Sequence, residues 1–340
     1  MSNPGTLAPD FAHLLHLTND RGTFEHADGV DARTDEGYCT DDMARVLVVA
    51  SREANPSPSV RHLAEIALRF LGDAQGFDGD YRNRMDQRGR WRDRRSVEDC
   101  WGRSIWALGT AASQSPADWM RQTAVAQFER AARKRSPWPR SMAFAALGAA
   151  ELLVTRPGHR GARSLLTDAA DGMAGPGSDA TWPWPEPRLT YANAVLPEAM
   201  LAAGAALDRP ALVQQGLDLL GWLLVHETGD GHLSVTPAGG ADPGDTGPRF
   251  GQQAIEVAAL ADACARASTL DGDRRWTDGV GAAVDWFLGE NDGGHVMFDP
   301  ASGGGFDGLE AGGPNRNQGA ESTLALLSTL QHARHLVPLS

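Results

Sequence analysis

Six stretches rich in Ala and Leu recur along the chain, at residues 40–53, 96–113, 138–153, 190–206, 251–268 and 317–335. Each is long enough for about four to five helical turns. Between them lie amphipathic segments near 57–72, 116–133, 160–172, 209–226 and 274–288, and a short helical segment at 8–18 precedes them all. Little of the chain alternates with the period of a strand. Helices that are apolar on every side belong inside a fold, and those with one face of Arg, Asp and Gln belong outside. Six inner and six outer helices in alternation predict an all-α protein, an (α/α)6 toroid (barrel) over 1–340 as a single domain. The N-terminal helix would complete the ring against the last inner one. The spacings are too uneven for a solenoid, which leaves an open helical stack as the alternative.

The connections at 19–39, 73–95, 174–189, 229–250 and 290–316 are rich in Gly, Pro, Asp and Trp. Each leads from an outer helix into the next inner one. Connections of this length are unusual unless they build a site. In a toroid they share one face with the N-terminal ends of the inner helices, so the active site is expected there.

Those helix starts are polar: Thr40-Asp41-Asp42, Ser96-Val97-Glu98-Asp99, Trp138-Pro139-Arg140, Thr190-Tyr191-Ala192-Asn193, Gln252-Gln253 with Glu256, and Asn315-Arg316-Asn317-Gln318 with Glu321. Capping would account for each alone, since Ser and Thr cap well and acids in a first turn suit the helix dipole. A cap requires one oxygen, however, and these starts run on into Arg45, Arg103, Glu198, Glu256 and Glu321. Arg45 follows Asp42 by three residues and Arg103 follows Asp99 by four, so each arginine can hold its acid on one helical face. Asp41 is expected to cap, and Asp42 to work. Trp101, Trp184 and Tyr191 near these starts offer flat apolar faces beside Asn193, Gln252, Gln253, Asn317 and Gln318. A sugar ring needs that mixture, because its C–H patches stack while its hydroxyls are hydrogen-bonded.

A net charge of −13, from 31 Lys and Arg against 44 Asp and Glu, argues against a nucleic-acid or anionic-membrane partner. Three scattered cysteines, Cys39, Cys100 and Cys264, form neither a disulfide framework nor a zinc signature. No metal or cofactor is expected. No apolar run approaches the roughly 18 residues of a membrane span, and MSNPGTLAPDFAHLL lacks the pattern of a secretory leader. A cytoplasmic protein is expected. GGGFDGLEAGGPN, at 303–315, follows no strand and lacks the lysine of a phosphate-binding loop, so it reads as a mobile lid or loop. ETGDGHLS, at 227–234, has too few acids for a calcium loop.

The strings LLHLTNDRGTFEHA, GYCTDDMAR, SVEDCWGRSIWALG, WPWPEPRLTYANAVLPEAML, FGQQAIEVAAL and PNRNQGAESTLALL resemble, in order, a bacterial helical family. Its members are attached to, or encoded beside, family 4 (mannosyl-type) glycosyltransferases. The resemblance implies an (α/α)6 toroid of glycoside-hydrolase type and a glycosyltransferase as pathway partner. Where related sequences read TDDNAR, this chain has Met43.

A glycosidase needs two carboxyl groups across the scissile bond, one as acid and one as base or nucleophile. Glu98 or Asp99 is assigned one role and Asp42 the other. Asp41, Arg45, Trp101, Arg103, Trp184, Arg188, Tyr191, Asn193, Gln252, Gln253, Glu256, Asn317, Gln318 and Glu321 are assigned to the substrate, a mannoside first. The general acid should be desolvated against Trp101 or Trp184. A phosphorylase would use Arg45, Arg103, Arg188 and Arg316 as an anion site. The other readings are a sugar 2-epimerase of the N-acylglucosamine type, using loop histidines such as His26, His232 and His295, and a non-catalytic glycan-binding module. A class II terpene cyclase is disfavoured, because Cys39 stands where its first aspartate would be.

Overall fold

The computed structural model describes residues 7–179, 181–245 and 249–336. Residues 1–6, part of the stretch read for a leader, lie outside the described residues. The chain divides into two compact units: Leu14–Met173 with Ala202–Pro210, and Met1–His13 with Ala174–Leu201 and Ala211–Ser340.

The first unit contains the helices α2 (Thr40–Arg52), α3 (Pro58–Ala74), α4 (Asp99–Gln114), α5 (Asp118–Ala131), α6 (Pro139–Thr155) and α7 (Arg160–Gly172). A five-residue helix, α1 (Ala12–His16), precedes them; it is shorter than the 8–18 segment expected. Every residue of α2 but Asp41 and Arg52 is buried, and α4 is buried without a break from Cys100 to Ala112. By contrast, α7 buries only Ala162, Leu165, Leu166, Ala169 and Ala170, one stripe at helical spacing. The central helix α4 packs against α2, α6 and α5. Its approach to α6 depends on glycine: a Cβ on Gly109 would lie 1.9 Å from the Gly148 carbonyl, and one on Gly148 would lie 2.1 Å from that of Ile105. Two short antiparallel strand pairs decorate this unit: the hairpin β1 (Ala27–Asp28) with β2 (Asp31–Ala32), and β3 (Tyr38–Cys39) with β4 (Arg84–Met85), which brings the loop after α3 back to the start of α2.

The second unit holds α9 (Pro210–His226), α10 (Ala254–Leu270), α11 (Arg274–Leu288) and α12 (Ala320–Leu336), with the first part of α8 (Val195–Ala206). In α11 the buried positions Trp276, Gly279, Val280, Ala283, Val284 and Phe287 form one face, and α11 and α12 both pack on α10. The stretch discounted as a calcium loop forms a hairpin, β5 (Thr228–Gly229) with β6 (His232–Leu233). It turns through Asp230 (φ 50°) and Gly231 (φ 86°), the Asp-Gly pair that such two-residue turns favour. The Gly-rich segment read as a mobile lid or loop includes a hairpin, β7 (Gly308–Glu310) with β8 (Gly313–Asn315). Asp307 beside it accepts from the Gly319 N–H at 2.8 Å and the Ser322 hydroxyl at 2.6 Å, and so caps α12.

Candidate active site

At the start of α2 the expected roles of the two adjacent aspartates are exchanged. Asp41 does not cap the helix. Cys39 is the N-cap, its sulfur accepting from the Asp42 N–H at 3.3 Å and its thiol donating to Asp42 Oδ2 at 3.1 Å. Burial, with Asp42 and Glu25 close by, pushes the Cys39 thiol well up, so it stays protonated and can donate. Asp42 is buried, 2.6 Å from Arg45 Nη1, with both side chains under 10% exposed. A carboxylate sealed in this way is an element of the core. Asp42, expected to be catalytic, is thus tied into the helix start by Arg45 and Cys39 and is less accessible than Asp41.

Asp41 is the more accessible of the two, with 15% of its side chain exposed. The loop residue Asn83 takes the Thr40 and Asp41 N–H groups on its side-chain oxygen and donates its amide to Asp41 Oδ2 at 2.9 Å. Arg103, from the first turns of α4, lies 3.1 Å from Asp41 Oδ1 and 3.6 Å from Asp99 Oδ2, its guanidinium 4.8 Å over the Phe144 ring. Burial alone would raise the Asp41 pKa. The charges of Arg103 and Arg45, with hydrogen bonds from Arg103 and Asn83, outweigh that and hold the carboxyl below its usual range. Asp41 is thus an ionised carboxylate at neutral pH, oriented from two sides.

The other assignments in this unit divide. Asp99 joins the cluster through Arg103. Glu98 stands at the head of α4, exposed, with its Oε2 accepting from the Ser96 hydroxyl at 3.2 Å; it is not desolvated against a tryptophan as expected. Trp101 is corrected: it is fully buried, and its indole N–H donates to the Ala131 carbonyl at 3.2 Å, so it presents no face to a ligand.

Glu25, Cys39 and Asp42 have one ligand atom each within 4.8 Å of one another. Arg84 already pairs with Glu25 and Arg45 with Asp42, and the thiol is protonated. The trio suits an ion-pair network better than a cation.

In the second unit the expected ligands are largely consumed by the fold. Glu256, in the first turn of α10, accepts from the Ala192 and Asn193 N–H groups and from the Asn193 side-chain amide. It holds the turn before α8 with Ala192 at φ 45°, a backbone conformation unfavourable for alanine. Asn193 is buried and also accepts from the Thr190 N–H. Gln252 is fully buried, bonded to Trp286, Asp292 and the Arg249 carbonyl. Gln318 accepts from Ser302 and, through its carbonyl, from His13. Trp184 is 2% exposed and stacked 6.0 Å from Trp222. Asn193, Gln252, Glu256, Gln318 and Trp184, expected as substrate ligands, are thus engaged with other parts of the chain and buried. Arg188 reaches the Gly239 carbonyl and Asp242. Tyr191 is 44% exposed, and Gln253, Asn317 and Glu321 are half-buried.

Two features of this unit were not anticipated. Glu227, at the end of α9, is buried, accepts from the Thr236 hydroxyl at 2.6 Å, and has its pKa pushed up to about 8 by burial and by the Glu256 charge. Beside it, Arg249 donates to His226 Nε2 at 3.0 Å, which requires a neutral imidazole. Its pKa is lowered to about 4 by burial and the Arg249 charge. No sequence motif marks Glu227, because its burial depends on a hairpin that folds back after α9.

No family model matches the sequence, and no curated protein is similar to it. Solved structures are similar over nearly the whole chain. A sugar epimerase from a ruminal bacterium superposes with a TM-score of 0.71 at 13% identity, covering 97% of this chain and 96% of its own. The cellobiose 2-epimerase of Bacillus thermoamylovorans gives 0.69 at 14% identity, covering 95% of each chain. An α-1,6-mannanase of Salegentibacter, an inactive variant with two consecutive aspartates replaced by alanine, gives 0.66 at 13% identity, covering 98% and 99%. The fold is the (α/α)6 toroid. At these identities the likeness establishes the toroid and not its chemistry.

Proposed function

We propose that this toroid is a carbohydrate-active enzyme and that it hydrolyses a glycosidic bond, with Asp41 as its essential carboxylate. The observation that carries the reading is the state of Asp41: ionised, partly accessible and fixed by Arg103 and Asn83. Such a group accepts a proton from an attacking water or attacks the anomeric carbon itself, while a second carboxyl protonates the leaving oxygen. Glu98 takes that second role, its exposed carboxyl being desolvated once a sugar covers it. The structural likeness to sugar epimerases and an α-1,6-mannanase supports a carbohydrate substrate. A mannoside is the first substrate to test, in keeping with a glycosyltransferase as pathway partner.

A second reading, sugar 2-epimerisation, is favoured by His232. Its Nε2 lies 3.1 Å from Asp292 Oδ1, and Gln252 donates to the other Asp292 oxygen. An imidazole oriented in this way can move a proton at a carbon next to a carbonyl.

One experiment separates the readings. Manno-, gluco- and arabino-oligosaccharides of both anomers are incubated in D2O, with and without phosphate, using wild type, Asp41→Asn and His232→Asn. Shorter sugars that vanish with Asp41→Asn support hydrolysis. Deuterium at C2 of an epimer, lost with His232→Asn, replaces hydrolysis by epimerisation. Binding of these sugars without turnover by any of the proteins rejects both and leaves a glycan-binding module.

A further inference from the structure

A cavity of about 380 Å³ opens in the first unit, among Asp20, Arg21, Arg69, Asp73, Met85 and Trp91, with Phe70 and Gly89 completing its lining. None of these residues belongs to the Asp41 cluster. The volume is within the range of small-molecule sites, roughly 300–1,000 Å³.

The floor is apolar, because Phe70 and Met85 are buried, and Trp91 forms a wall with its ring 5.4 Å from that of Phe70 in an edge-on contact. The Trp91 indole N–H has no acceptor among the described residues. The rim is charged but balanced, two guanidiniums against two carboxylates. Arg69 donates to the Asp20 main-chain carbonyl, and Arg21 lies so close to the Gly89 backbone that a Cβ there would be 2.1 Å from its Nη1. The loop carrying Asp20 and Arg21 is itself anchored. Asn19 accepts from the Arg21 and Gly22 N–H groups and donates to the Tyr38 hydroxyl at 2.8 Å.

We infer that this cavity is a second binding site, and that it takes a neutral saccharide unit. An anion would meet Asp20 and Asp73, and a cation would meet Arg21 and Arg69, so the balanced rim favours neither. Two guanidinium donors and two carboxylate acceptors beside an aromatic wall suit vicinal hydroxyls above a C–H face. The site would hold a glycan chain away from the carboxylate cluster, and it stands whether or not Asp41 is a catalyst.

The test follows the Trp91 indole N–H resonance of ¹⁵N-labelled full-length protein, assigned by its loss in Trp91→Phe. Mannotetraose, cellotetraose and maltotetraose are titrated, with mannose 6-phosphate and glucosamine as charged comparators. The expected result is a saturable shift with at least one neutral oligosaccharide, weakened about tenfold or more in the Asp20→Ala/Asp73→Ala double variant through lost hydrogen bonds to charged groups. Both substituted positions are exposed, so folding is not at stake. A resonance that no neutral sugar moves, one moved only by the charged comparators, or a shift unaltered in the double variant would each overturn the inference.

Discussion

Arg103 Nη1 stands 3.1 Å from Asp41 Oδ1 and joins the start of α4 to the start of α2. The contact does two things: it orients the carboxylate and keeps it ionised. Asp41→Asn preserves the shape and removes the base. Turnover is expected to fall by about 10²- to 10⁴-fold, the usual scale for a proton-transfer group, with a smaller drop in thermal midpoint than for Asp42→Asn, because Asp99 still lies 3.6 Å from Arg103. Initial rates on the substrate found by product analysis, beside a melting curve, check this. Unchanged turnover would remove Asp41 from the mechanism.

The neighbouring substitution separates stability from chemistry. Asp42→Asn leaves the buried Arg45 guanidinium without its carboxylate 2.6 Å away. Breaking a buried pair from one side costs about 3–5 kcal/mol. Denaturant unfolding should show a loss of that order. A variant as stable as wild type would mean that the pair contributes nothing.

The glycine contact between α4 and α6 predicts a second structural cost. Gly109→Ala forces a methyl group into the Gly148 carbonyl. Overpacking of this kind costs about 1–3 kcal/mol, even though alanine is the better helix former. A melting temperature at or above that of wild type would show that the two helices can separate without loss.

The helices were legible because their composition carries the signal. Ala- and Leu-rich stretches stand where α2, α4, α6, α8, α10 and α12 form, with ends displaced by a few residues. The start of α8 is Val195 and not residue 190, with Ala192 in a left-handed backbone whose N–H is taken by a carboxylate distant in sequence, Glu256. Side-chain roles were less legible for the same reason. The partner that orients Asp41 is Asn83, 42 residues away in a loop, and no local spacing announces it. Trp101 has a neighbourhood in sequence that suits a pocket, yet its indole N–H turns to Ala131. The Arg–acid spacing did identify the right pairs, but which member of Asp41-Asp42 faces solvent depended on Cys39 serving as the cap.

His226 gives a prediction on the acid side. Its Nε2 must accept from Arg249, so the folded chain holds the ring neutral, with a pKa of about 4 against 6.5 for a free imidazole. Between those values the unfolded chain binds the extra proton, and stability drops as pH falls from about 6.5 toward 4. Histidine resonances followed from pH 7 to 5 should show the His226 signals unmoved. A midpoint near 6.5 would mean that the Arg249 contact is absent in solution.

Glu227 acts in the opposite sense. Its pKa is raised from 4.5 to about 8, by burial first and by the Glu256 charge second. Between pH 4.5 and 8 the folded chain holds a proton that the unfolded chain has released. Stability from this group is therefore full below about 4.5 and declines as pH rises through that window. Above about 8 the carboxylate is charged and buried near Glu256, offset by hydrogen bonds from Thr236 and by the Arg249 charge. Glu227→Gln keeps an uncharged side chain of the same shape, and its amide can still accept from Thr236. The variant should match wild type near pH 5 and exceed it at pH 8 and above, as read by the thermal midpoint across that range. Parallel curves for the two proteins would show that Glu227 is already ionised at neutral pH. The Arg249 guanidinium would then be offsetting both the Glu227 and the Glu256 charges.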